Sequence, residues 1–159
     1  MTDTTIREAL VSAVADVLES MFFLDAIGEA PEPPPDAAMV TVHLTFDGDP
    51  PGSFLMRIAL PAADAIAADF LGEEAESLTP QQSTDVALEL ANMICGAVLS
   101  RIESRATFRL ATPQIAADDT GQQRPAQETR YTADTGSGTL TVAIQMETRT
   151  CPATERFAS

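Results

Sequence analysis

Between Pro80 and about Arg105 the chain is apolar on nearly every side of a helix, with a single polar line along it. At about 100° per residue, Asp85, Glu89, Asn92 and Gly96 project within roughly 60° of one another, and Glu103 falls on the same line a few turns later. Val86, Leu88, Leu90, Met93, Ile94, Cys95, Val98 and Leu99 fill most of the remaining circumference. So wide an apolar surface must be buried on most sides, which makes this a central helix. Only the polar line is left to face water or a partner.

That line works against the helix that carries it. Asp85 and Glu89 are like charges at i and i+4, which costs a few tenths of a kcal/mol. Asn92 and Gly96 are poor interior helix formers. Local rules broken along a single line point to function there. Gly96, with no side chain, would let another molecule approach Glu89 and Asn92 closely. The competing reading is an ordinary solvated helix face, since exposed polar stripes are common.

Composition narrows the partners. The 159 residues carry a formal charge of -15, and all nine basic residues are arginine. The charge argues against nucleic acid, because phosphate binding needs clustered Lys and Arg, and equally against an anionic membrane surface. Without lysine there is no Schiff-base or phosphate-loop chemistry. Apolar residues make up 45% of the chain, enough for one globular domain with a full core. Two cysteines make no disulfide framework; Cys95 reads as core and Cys151 as a free thiol in a polar tail. Met1 to Glu8 lacks the basic region and apolar run of a signal peptide, and no segment has the length of a membrane span. A soluble cytoplasmic protein is expected.

The pattern predicts a helix over Thr5–Phe23 and a stiff proline-rich connector at 28–36 (GEAPEPPPD). Val40, Val42, Leu44 and Phe46 alternate with polar residues, as do Phe54, Met56 and Ile58, so an antiparallel hairpin turns at Asp47–Gly52. Pro61 starts a short helix ended by Gly72, and an acidic loop (Glu73, Glu74, Glu76) follows. Thr79 caps the long helix, with Pro80 at its first position. Thr107–Thr112 reads as a strand closed by Pro113, and Ala116–Pro125 as loop. Gln127–Ala133 and Thr139–Glu147 form a terminal hairpin, with 150–159 a frayed tail. No internal repeat is evident. The expected fold is α+β: a single domain, an antiparallel sheet with a long central helix and shorter flanking helices.

Other chemistry-bearing residues fit bland roles. His43 is the sole histidine, on the polar side of a strand with no second ligand nearby, so no metal site is expected. Ser100 and Ser104 lack an adjacent base. The acidic loop lacks the glycine and ligand spacing of a calcium loop. The proline run serves better as a connector than as a ligand for a polyproline reader.

Asp85, then Glu89-x-x-Asn92 on a helix, then a distant Pro113 resembles the signature of the chemotaxis phosphatase family that includes CheC and CheX. ELANMICGAVLSRIE and LESMFFLD look most like CheX. The interval from Asn92 to Pro113 is slightly shorter than is usual in that family. The resemblance spans about Thr5 to Glu147 and implies a phosphatase domain over residues 1–149. It implies hydrolysis of the aspartyl phosphate on a CheY-like response regulator. Glu89 and Asn92 would be the catalytic pair: Glu89 pairs with the regulator's lysine, and Asn92 orients the attacking water. Asp85 and Gly96 would support the contact edge. No cofactor would be bound by this chain; the Mg²⁺ would come with the receiver. A homodimer is also implied. The alternative on the same fold is a non-catalytic adaptor, as in flagellar switch middle domains.

Overall fold

The alternating apolar residues of 39–59 produce the hairpin they predict. In the computed structural model, which describes residues 3–22, 28–31, 33, 38–48, 51–102, 109–115 and 128–146, Met39–Asp47 (β2) and Gly52–Ala59 (β3) pair antiparallel from Met39↔Ala59 to Phe46↔Gly52. Val42, Leu44, Phe46, Phe54, Met56 and Ile58 point to one face and are buried. Thr129–Asp134 (β6) and Thr139–Met146 (β7) form the second hairpin. Its buried apolar face is Tyr131, Ala133, Leu140, Val142 and Ile144. β3 and β7 pair at the centre, from Gly52↔Met146 to Ile58↔Leu140. Gly52 is required there, because a Cβ would lie 2.1 Å from the Gln145 carbonyl oxygen.

Among the described residues, three helices cover the apolar face. Asp3–Phe22 (α1) and Pro80–Ile102 (α3) pack against each other, and Leu60–Leu71 (α2) packs on α3. α2 begins one residue before Pro61 and stops at Gly72, which takes the left-handed conformation at φ 70° and donates its N–H to Ala68. A single 3-10 turn at Ala75–Ser77 leads to Thr79. The Thr79 hydroxyl accepts from the Gln82 N–H at 3.1 Å, and the Gln82 side chain accepts from the Thr79 N–H at 2.9 Å. This reciprocal pair starts α3 at Pro80. The Ser83 hydroxyl donates to Asp64 at 2.7 Å and ties α3 to α2. Among the described residues, no helix is long and apolar enough to cross a membrane.

The edges depart from expectation. Gly28–Glu29, read as the start of the connector, is a short strand (β1) on β6. Of the strand expected over Thr107–Thr112, positions 107–108 lie outside the described residues and Arg109–Leu110 is a strand (β4); a second short strand that was not expected, Gln114–Ile115 (β5), follows Pro113, and both pair with β2. Pro113 lacks an N–H, so the ladder breaks before it and resumes after it. Positions 103–108, 116–127 and 147–159, with the expected loop, helix end and tail, lie outside the described residues, as do Glu103 and Cys151.

The sheet order β1-β6-β7-β3-β2-β4 reveals an internal repeat that the sequence pattern conceals. Each half is a long helix, a short edge strand and a hairpin, and the halves meet across Leu55↔Ala143. The edge strands are exchanged. β1, after α1, pairs with the end of β6 (Gly28↔Asp134, Glu29↔Ala133). β4, after α3, pairs with the end of β2 (Arg109↔Asp47, Leu110↔Phe46). Even the next hydrogen bond matches: the Ala30 N–H donates to Thr132, and the Ala111 N–H to Thr45, each at 2.9 Å.

Cys95 lies at the centre of α3, fully buried, and burial pushes its thiol up to about 12. The unfolded thiol ionises near 9.0, so its contribution to stability is whole below that pH and is lost as pH rises towards about 12. In a Cys151→Ser background, Cys95 is expected to resist Ellman's reagent at pH 8 until denaturant is added. Rapid native labelling would show that α3 is not seated as described.

Candidate functional site on α3

The burial of α3 leaves one line open. Ser83, Val86, Ala87, Leu90, Ala91, Ile94, Cys95, Val98 and Leu99 are buried. Asp85 and Glu89 are exposed, and Asn92 and Gly96 are half-buried. The structure therefore brings all four predicted residues onto the side of α3 away from the core. Half-buried Leu88 and Met93 border the line on either side and pack against the core. The result is a polar ridge with apolar shoulders.

The Gln81 amide donates to Asp85 at 2.8 Å. Gln81 lies one turn towards the N-terminus, so the bond holds the Asp85 carboxylate away from Glu89 and eases the like-charge contact. The sequence reading passed over Gln81, although its i,i+4 spacing to Asp85 is the signal that could have revealed it. Among the described residues, the side chains of Glu89 and Asn92 make no hydrogen bond or ion pair. A carboxylate and an amide three residues apart thus stand on one face of α3. A Cβ built on Gly96 would meet nothing within 4 Å, so the space beside Asn92 is open.

Asn92 offers both an acceptor oxygen and donor hydrogens, and it does not ionise. It can position a water molecule but cannot take its proton as a base. Glu89 supplies fixed negative charge. His43 is exposed on β2, facing away from the helices. Among the described residues, no group of His, Cys, Asp or Glu side chains is placed to hold a metal ion.

Residues 40–136, which include the whole ridge, match the family described as chemotaxis phosphatase CheX. The chain belongs to the CheX family. No curated protein matches it in sequence. Solved structures of the family share its fold. CheX from Desulfovibrio desulfuricans is 23% identical, covers 89% of this chain and 99% of its own, and superposes with a TM-score of 0.70. A CheC-like protein from a Shewanella species is 20% identical over 93% of this chain and 100% of its own, with a TM-score of 0.73. A chain of the CheX–CheY–BeF3–Mg²⁺ complex from Borrelia burgdorferi is 15% identical over 89% of this chain and 97% of its own, with a TM-score of 0.69. At these identities the likeness is one of fold, and the CheX family match is what covers the Glu89–Asn92 helix.

Proposed function

We propose that this CheX-family chain accelerates hydrolysis of the aspartyl phosphate on a CheY-like receiver domain. The observation that carries the reading is the open ridge of α3. Glu89 is exposed there, the Asn92 side chain stands beside it without an internal partner among the described residues, and Gly96 leaves room for a second protein. The capture of a CheX-fold chain together with CheY in the Borrelia complex supports the choice of partner.

In this mechanism α3 enters the receiver's active site. The Glu89 carboxylate meets the receiver's lysine and fixes register. The Asn92 amide accepts a hydrogen bond from a water molecule and holds its oxygen in line with phosphorus. Water attacks phosphorus, the bond to the aspartyl oxygen breaks, and the carboxylate leaves with the electron pair. The water proton ends on the released inorganic phosphate. Phosphoryl transfer of this kind needs positioning and charge stabilisation more than covalent assistance from the protein. Mg²⁺ held by the receiver would supply charge neutralisation at the transferred group. Asp85, held by Gln81, supports the contact edge.

The test is phosphate release from a phosphorylated receiver with Mg²⁺, with and without this protein. Acceleration that depends on Asn92 supports the reading. Binding without acceleration would make the chain an adaptor on the same fold.

Gly96 gives a second check with opposite signs for stability and activity. Gly96→Ala adds a methyl group into open space and should stabilise α3 by up to about 1 kcal/mol. The same methyl group projects beside the docking ridge, so dephosphorylation should fall. Urea midpoint and phosphate release, measured on the same preparation, check both; a variant that is stabilised and equally active would remove Gly96 from the contact.

A further inference from the structure

From residue 58 to residue 100 the chain contains no Arg, Lys or His, and the ridge of α3 lies inside that stretch. α2 packs on α3 and is joined to it through residues 72–79, so the last turn of α2 stands near the N-terminal end of α3. At this tip Phe70 and Leu71 are 43% and 40% exposed, and the carboxylates that flank them, Asp69, Glu73, Glu74 and Glu76, are exposed as well. Backbone hydrogen bonds build the tip: the Glu73 N–H donates to Ala68 at 3.0 Å and the Ser77 N–H to Glu74 at 2.9 Å. Leu78 packs against the core and anchors the far side. Among the described residues none of the four carboxylates makes an ion pair. Single exposed apolar residues are ordinary, but an adjacent pair among charges has the make-up of a contact patch, an apolar centre with a polar rim.

The tip is within reach of anything seated on the ridge. Asn92 lies about 18 Å along the helix axis from Pro80, at 1.5 Å per residue. A folded domain of about 100 residues has a radius of gyration of about 13 Å, hence a radius of about 17 Å. A receiver centred on Asn92 therefore overhangs the ridge as far as the tip. Gln81 and Asp85, both exposed, carry polar surface across the interval.

We propose that the tip of Phe70, Leu71, Asp69, Glu73, Glu74 and Glu76 is a second contact for the receiver that docks on α3, and that it selects receivers with an apolar spot rimmed by Lys or Arg beside the phosphorylation site. The inference rests on the reading proposed for α3. Charge decides the occupant: every ionisable carboxylate from the tip to Glu89 is negative and no cation intervenes, so the complementary surface is basic. A second copy meeting the chain tip to tip would set carboxylate against carboxylate. The tip takes no part in the chemistry; it sets which receivers stay long enough to be hydrolysed. Its carboxylates also precede the N-terminus of α3, where negative charge favours the helix, and that effect is read separately as stability.

The experiment is steady-state phosphate release from phosphorylated CheY-type receivers, with urea midpoints and sedimentation on the same preparations. Phe70→Ser with Leu71→Ser, and Glu73→Gln with Glu74→Gln and Glu76→Gln, should each raise KM about tenfold while kcat stays near wild type. The glutamine variant should also lose much of the wild type's salt dependence. Across several receivers, its loss in kcat/KM should grow with the number of Lys and Arg beside the phosphorylation site. Unchanged KM in both folded variants, with or without a shifted urea midpoint, would overturn the proposal and leave α3's role intact. A raised KM in the serine variant alone would overturn the basic rim. A change in oligomeric state without a change in KM would give the tip to a second copy and overturn the proposal. If the serine pair fails to fold, the glutamine set, confined to exposed side chains, decides alone. A wild-type chain that hydrolyses no receiver phosphate would remove the reading for α3, and this inference with it.

Discussion

Asn92→Ala is expected to lower the turnover of a phosphorylated receiver by about 10²–10³-fold, roughly 3–4 kcal/mol of transition-state stabilisation. The argument starts from what the side chain is. Asn92 is half-buried on the ridge and has no internal hydrogen bond among the described residues, so its removal leaves no polar atom stranded in the core. Stability should therefore move by about 0.5 kcal/mol or less, apart from a small gain in helix propensity. Receiver binding should persist, because Glu89 and the Leu88 and Met93 shoulders remain. What is lost is the group that fixes the attacking water. Single-turnover phosphate release at saturating variant separates the chemical step from binding. Unchanged turnover would remove Asn92 from the reaction.

Glu89→Ala should fail differently. Truncating one partner of a charge pair that is buried on docking costs about 2 kcal/mol or more, so KM should rise about 30-fold or more. Turnover at high receiver concentration should be much less affected, since the water-positioning amide is still present. Raising ionic strength should weaken the wild type and narrow its advantage over the variant, because the encounter of opposite charges is screened. Steady-state kinetics at two salt concentrations check this. A variant with normal KM and no turnover would place Glu89 in the chemistry rather than in docking.

The ridge and the hairpins were legible because each follows from periodicity within one element. The run Val86–Leu99 fixes which side of α3 is buried, and the exposed remainder is the ridge. Thr79, Pro80 and Gly72 mark helix ends through local hydrogen bonding and backbone conformation, which a short window of sequence contains. β1, β4 and β5 were missed or misread because two residues carry no period; their pairing is decided by distant partners on β6 and β2. The repeat was hidden for another reason. Packing preserved burial at equivalent positions of the two halves, not residue identity.

The exchanged edge strands tie the two halves to a common fate. Each hairpin can form early from neighbouring residues, but its outer ladder is finished only when a segment from the other half arrives. Gly28 must find Asp134, and Arg109 must find Asp47. Neither half can open alone without stripping an edge from the other and exposing unpaired backbone. Local loosening of the α1 half would therefore be felt at the β2 edge beside α3, which makes the molecule one cooperative unit in unfolding rather than two tandem ones.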